Sequence, residues 1–207
     1  MLQEKIKLSR KLRESYTDYK YLLNRGYKRE LALRVVTDRY TLTSEERLIL
    51  YRCTHSDYEI YQIRAKLRDS NVVVVDGFNI ASIIINLIKG DDVYECDDGF
   101  PRDKSLGKYK GESNLVIDAI ILLAEELGRQ LIIYFDYPVS RSGEIASGLR
   151  KKGILAEAVN SVDKKLIESN IPVLSTDFVV LIKTQYLFNP FPFLLKKWGF
   201  SLFSLFD

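Results

Sequence analysis

The chain has 207 residues, with 31 Lys and Arg against 28 Asp and Glu, one His and two Cys, for a formal net charge of +3. One histidine excludes His-rich metal chemistry, and Cys53 and Cys96, far apart in sequence, make neither a disulfide framework nor a zinc site. The start, Met1 to Tyr21, is charged throughout without the apolar segment of a signal peptide, and no run of about 18 apolar residues exists to span a membrane, so the expectation is a soluble, cytoplasmic protein.

The charge is unevenly placed. Residues 1–70 carry 16 Lys and Arg against 10 Asp and Glu, whereas residues 71–207 carry 15 against 18. A basic front and a mildly acidic back point to two parts with different tasks, one suited to a polyanion and one presenting carboxylates. The boundary is expected near Ser70, giving a small all-α module over 1–70 and an α/β domain over 71–207.

In the front part, residues 2–24 have helical spacing and Gly26 stands where a helix C-terminus favours a left-handed residue. Arg29 to Arg39 is a second short helix. Thr43-Ser44-Glu45-Glu46 has capping-box spacing for a third over Glu45 to Arg52, and Ser56 to Arg68 is a further helical stretch. Basic residues such as Arg13, Lys20, Arg25, Arg29 and Arg34 alternate with Tyr16, Tyr19, Tyr21, Tyr27 and Tyr40. Charge runs on helices are usually solvated faces, here over a small tyrosine-rich core, and the alternative is a nucleic-acid-binding module in which the mixture serves stacking and phosphate neutralisation.

Val72 to Val75, four β-branched residues in a row, read as a strand buried on both faces and ending in Asp76, Gly77, Phe78 and Asn79. The glycine is expected to let the backbone turn tightly. Residues 81–89 read as helix or buried strand. Asp91 to Gly111 is a polar gap, with a short strand at Val93 to Cys96 and a loop carrying Asp97, Asp98, Arg102 and Asp103, which is expected to be solvated, with a metal or phosphate contact as the alternative. Ser113 can cap a helix over Asn114 to Leu127 that carries Asp118, and Gln130 to Asp136 repeats the pattern of buried strand followed by an acid. Ser140, Arg141 and Ser142 precede a helix from Glu144 to Lys151 whose N-terminus could hold an anion. Leu155 to Val159 is a third strand, Ser161 caps a helix starting at Val162 and Asp163, and Pro172 to Asp177 is a fourth strand. The aromatic tail from Phe188 is expected to cover the sheet, with a dimer contact as the alternative; oligomeric state stays open.

Strand and helix in alternation imply a parallel sheet with all strand C-termini on one edge. Asp76, Asp136 and Asp177 end three strands, and Asp163 opens the intervening helix. Carboxylates crowded there repel one another unless a cation neutralises them, and hard divalent ions such as Mg²⁺ or Mn²⁺ take oxygen ligands. A single Asp at a strand end is otherwise a helix cap or turn residue. Asp118 could be a further ligand or mark the solvent edge. Cys53, Cys96 and His55 are expected to have plain structural roles.

The segments Val75-Asp76-Gly77-Phe78-Asn79-Ile80, Ile133-Tyr134-Phe135-Asp136, Asp163-Lys164-Lys165-Leu166-Ile167 and Leu174-Ser175-Thr176-Asp177-Phe178 resemble, in that order, motifs of the PIN-like nuclease superfamily, in particular its NYN branch. The whole chain, including Leu22 to Tyr27, Arg39 to Thr43 and Pro138 to Gly143, resembles a mainly archaeal family of unassigned function that joins a small helical domain to a PIN-like one. The resemblance implies a PIN-like central parallel sheet flanked by helices and metal-dependent cleavage of RNA. Asp76, Asp163 and Asp177 match its acidic cluster, and Asp118 is the only candidate for its helix acid, which is usually Glu. Asp76, Asp136, Asp163 and Asp177 are thus the expected catalytic metal ligands. Asn79, Ser175, Thr176, Ser140, Arg141, Ser142 and Arg102 are expected at the substrate. The rival expectation is a non-catalytic RNA-binding or scaffold protein on the same fold. A haloacid-dehalogenase-type phosphatase would need an acid where Phe78 stands, and neither a dinucleotide nor a P-loop glycine motif is present.

Overall fold

The structure, a computed structural model, describes residues 9–104, 112–137, 139 and 141–206. The chain begins with four helices, α1 (Arg10–Asn24), α2 (Arg29–Tyr40), α3 (Ser44–Cys53) and α4 (Asp57–Ala65). Strand β1 (Val72–Asp76) and helix α5 (Gly77–Lys89) follow, then β2 (Val93–Glu95), β3 (Pro101–Asp103), α6 (Ser113–Leu127) and β4 (Gln130–Asp136). The remainder is α7 (Ser142–Lys151), β5 (Leu155–Val159), α8 (Val162–Ile167), β6 (Val173–Leu174), α9 (Phe178–Lys183), α10 (Phe191–Trp198) and β7 (Phe203–Ser204). Residues 77–89 are therefore helix, which settles the open choice over 81–89. Among the described residues no helix is long and apolar enough to cross a membrane.

The described residues form two compact units, one from 9–64, 92–104 and 201–206 and the other from 65–91, 112–137, 139 and 141–200. The first unit contains α1 to α3 and most of α4. Ser9 caps α1 through the Leu12 amide, and Thr43 and Glu46 close the capping box of α3. This unit is not all-α, because β3-β2-β7 form a small sheet in it, β2 antiparallel to β3 and parallel to β7. The reason is shared burial: Tyr94, Cys96 and Leu205 enter the same core as Leu12, Tyr19, Leu33, Val36 and Leu50. The tail accordingly divides, with Phe191–Trp198 a helix of the second unit and Phe203–Ser204 a strand of the first.

Two further expectations are corrected in the first unit. Cys53 and Cys96 are joined as a disulfide with Cα atoms 4.2 Å apart. Distance in sequence concealed the contact of α3 with β2. The segment from Asp97 to Asp103 is not a solvated loop, since Asp97, Asp98, Arg102 and Asp103 are all buried and Pro101–Asp103 is strand. Arg102 forms a two-pronged pair with Asp98 at 3.0 and 2.6 Å, the geometry that lets buried charges satisfy one another. His55, also buried, places Nδ1 2.6 Å from Asp97 Oδ1. Burial alone would raise Asp98, but Arg102 and His55 outweigh it and hold the carboxyl below its ordinary range.

In the second unit a four-stranded parallel sheet has the order β5-β4-β1-β6. Val73, Val74 and Val75 are buried, as an interior strand of uninterrupted β-branched residues requires. Chain progression runs outward from β1 through β4 to β5 and then returns to place β6 on the other side of β1. That reversal is a topological switch point, and the crevice outside the strand C-termini at such a point is where open α/β sheets hold ligands.

Gly77 begins α5 directly under this edge, and its φ is not positive. The glycine is needed for close approach, not for a left-handed turn: a Cβ there would lie 2.3 Å from Cε1 of Phe135, whose ring also packs edge-on against Phe78 at 4.8 Å between centroids. Gly77→Ala should therefore displace Phe135 and lower the unfolding free energy by about 1–3 kcal/mol, the usual range for overpacking a core. A denaturant titration checks this, and an unchanged midpoint would contradict the packing account.

Candidate functional site

The site is built from the two strands at the switch point. Because Val75 pairs with Leu174, the residues that follow them, Asp76 on one strand and Ser175 on the next, leave the sheet side by side. The Ser175 hydroxyl donates to Asp76 Oδ2 at 3.0 Å, and the Asn79 amide N–H reaches Asp76 Oδ1 at 3.4 Å, so Asp76 caps α5. Asn79 is held in turn: its side-chain oxygen accepts from the Thr176 amide at 2.7 Å and the Thr176 hydroxyl at 3.0 Å. Ser175 and Thr176 are wholly buried and committed to these bonds, so they position Asp76 and Asn79 and are not open to substrate.

Asp177 caps α9, accepting at Oδ1 from the amides of Val179 at 2.7 Å and Val180 at 3.2 Å. Asp136, at the end of β4, accepts at Oδ1 from the amide of Val162 at 3.0 Å, which anchors the start of the helix carrying Asp163. The helix-cap reading is what these bonds show: one oxygen of Asp177 and one of Asp136 is tied to backbone, and the second accepts no hydrogen bond from the described residues.

Electrostatics connects the four acids. The enclosed carboxyl of Asp76 is pushed up to about 7, by burial first and then by the charges of Asp163 and Asp177, while the hydrogen bonds from Ser175 and Asn79 pull the other way. Asp163 is largely exposed, yet its carboxyl is also raised, by partial burial and then by Asp177 and Asp136, with Lys183 opposing. Lys183, in the last turn of α9, is a member of this neighbourhood that sequence reasoning missed, since nothing in its local pattern ties it to an acid twenty residues earlier.

The remaining expected residues scatter. Asp118 is exposed on α6 and no interaction joins it to the four acids, so it marks a solvent edge. Arg102 belongs to the first unit and is buried against Asp98, which removes it from the substrate role. Ser142 is buried and donates to the carbonyl of Tyr137 at 3.2 Å, whereas Arg141 is exposed in a left-handed conformation at the head of α7. Ser140 lies outside the described residues.

As a donor set, four carboxylates without histidine or thiolate suit a hard divalent cation. Among the described residues no group of three or more His, Cys, Asp and Glu is gathered to hold a metal ion. The edge therefore does not form a preformed all-protein cage, and an ion there would be carried by one or two carboxylates with water completing its shell, as Mg²⁺ usually is.

The raised carboxyl of Asp76 has a consequence for stability without metal. Its pKa rises from about 3.9 in the unfolded chain to about 7 in the folded one. The folded state thus holds the extra proton between these values, and stability falls as pH climbs through that window. Asp76→Asn removes the penalty, so in EDTA the variant should gain thermal stability over the wild type at pH 8 and much less at pH 4.5. An equal difference in melting temperature at the two pH values would contradict the enclosure of Asp76.

Comparison with known proteins gives the chain relatives but not an activity. Residues 11–66 match the family profile described as Protein of unknown function (DUF434), and residues 64–191 match Domain of unknown function (DUF5616). A Methanocaldococcus jannaschii protein named Uncharacterized protein MJ0935 is 36% identical over 183 residues, covering 81% of this chain and 87% of the relative. No solved structure matches. With more than half of its length inside the second profile and an archaeal relative along most of it, the chain belongs to the DUF5616 family.

Proposed function

We propose that the chain is a metal-dependent ribonuclease that hydrolyses RNA phosphodiesters at the switch-point edge of the second unit, with Mg²⁺ or Mn²⁺ carried by one or two of the carboxylates of Asp76, Asp136, Asp163 and Asp177 and completed by water and the substrate phosphate. The observation that carries the reading is the shared electrostatic neighbourhood of these four acids at the strand C-termini, where burial first and then acidic neighbours raise the carboxyls of Asp76 and Asp163. The ordered resemblance of the surrounding segments to PIN-like, NYN-type motifs supports the finer assignment of fold and reaction.

A bound divalent cation would neutralise this cluster and supply Lewis-acid stabilisation of the phosphodiester oxygens. The protein's own part is positioning. Ser175 orients Asp76, Thr176 orients Asn79, and the backbone amides of α8 and α9 fix one oxygen each of Asp136 and Asp177. Asp163 and Asp177, both exposed, are the acids of this edge that open to solvent.

A specific observation favours a second reading, a non-catalytic RNA-binding or scaffold protein: the described residues do not gather three metal-binding side chains in one place. The two readings separate in a single-turnover assay of end-labelled RNA with Mn²⁺. Cleavage by the wild type, lost in Asp76→Asn and slowed about 10–100-fold in Ser175→Ala as for loss of a residue that orients a ligand, supports the nuclease. Equal rates for wild type and Asp76→Asn contradict it, and salt-sensitive binding without metal-dependent turnover selects the second reading.

A further inference from the structure

The first unit holds a cleft of about 390 Å³ lined by Tyr16, Lys20, Asp57, Ile60, Tyr61, Arg64, Asp97 and Phe206. Two helices build it by simple spacing. Tyr16 and Lys20 are four residues apart on α1, and Asp57, Ile60, Tyr61 and Arg64 fall at i, i+3, i+4 and i+7 of α4, so each set shares one helix face. Phe206 stands against Tyr16 with 6.1 Å between ring centroids.

The polar floor is fixed in advance. Asp97 Oδ2 accepts from the backbone amide of His55 at 3.0 Å, from Lys20 Nζ at 3.1 Å and from the Tyr16 hydroxyl at 3.3 Å. Lys20 also donates to the His55 carbonyl at 3.0 Å and pairs with Asp57 at 3.1 Å. The walls differ in character: Tyr61 is 70% exposed and Phe206 40% exposed, and Arg64, exposed at the mouth, forms no hydrogen bond or ion pair with the described residues. Lys20 and Arg64 balance Asp57 and Asp97, so the cleft carries no net formal charge.

We propose that this cleft binds an unpaired nucleotide, with the base against Tyr61, Tyr16 and Phe206 and the phosphate at Arg64. The chemistry selects this class. Aromatic faces open to solvent beside a free guanidinium are the components of single-stranded nucleic-acid sites, where each stacked base contributes independently of sequence. A neutral polar heterocycle suits an interior with balanced charges, and its ring N–H groups suit the exposed carboxylate of Asp57. The volume lies within the range of small-molecule sites. A duplex offers no unstacked face and is excluded by the same reasoning.

The site is tested separately from cleavage, in EDTA, where no metal-dependent turnover occurs. Fluorescence anisotropy with fluorescein-labelled 12-mers of oligoadenylate and oligouridylate, and with the duplex they form, is expected to show binding of the single strands over the duplex. Calorimetry with AMP and UMP establishes whether a free nucleotide suffices or the strand is required; binding in either form, if lost in Tyr61→Ala, supports the cleft. Loss of one stacked base at about 1–3 kcal/mol corresponds to a roughly 5–150-fold weaker complex for Tyr61→Ala. Tyr61→Phe should restore affinity, and Arg64→Gln should reduce the slope of log affinity against log salt by about 0.7. Wild-type affinity in Tyr61→Ala, preference for the duplex, or absence of binding by the wild type to both strand and mononucleotide overturns the inference. Cleavage that persists with an unaffected Tyr61→Ala would sink the cleft and leave the nuclease standing; Tyr61-dependent binding without cleavage would do the reverse.

Discussion

The second unit depends on the parallel pairing of β1 with β4 on one side and β6 on the other. Parallel register sends every strand out at the same edge, and the buried valines of β1 fix which edge that is. The residues that leave there are acids and hydroxyls. Like charges delivered to one place by the backbone cannot separate without breaking the sheet or uncapping α5 and α9, so the repulsion is retained in the folded state. It adds to burial, the larger cause, in raising the carboxyls of Asp76 and Asp163.

The capping bonds and the proposed site are two uses of the same carboxylates. Asp76, Asp136 and Asp177 each give oxygen to backbone amides of a following helix, which stabilises the helix start and also removes rotational freedom from the carboxylate. A group immobilised in this way loses less entropy when it binds a cation or orients a phosphate. Ser175 and Thr176 extend the arrangement inward: fully buried, they hold Asp76 and Asn79 from beneath.

Much of this was legible in the chain because it is local. Four successive valines identify β1, an acid ends β4, and Ser161 before Val162 marks the start of α8. What was not legible is tertiary. Asp97, Asp98 and Arg102 look like a charged surface loop until the pairing of Arg102 with Asp98 and of His55 with Asp97 buries them. Cys53 and Cys96 look unrelated until β2 packs in the core beside α3. Gly77 suggests a turn, yet its backbone is ordinary and it is the ring of Phe135 that leaves no room for a side chain. Asp118, an acid in an apolar helix that reads either as a ligand or as a solvent edge, sits in solvent.

The central claim is that the acids at this edge form a repulsive group which a divalent cation relieves. Carboxyl-detected NMR titration of Asp76, without and with millimolar Mg²⁺, measures this directly. Without metal the carboxyl should titrate near its raised value of about 7, and with Mg²⁺ the midpoint should fall by about one to three pH units, the effect of a nearby opposite charge. A midpoint that Mg²⁺ leaves unmoved would contradict the account.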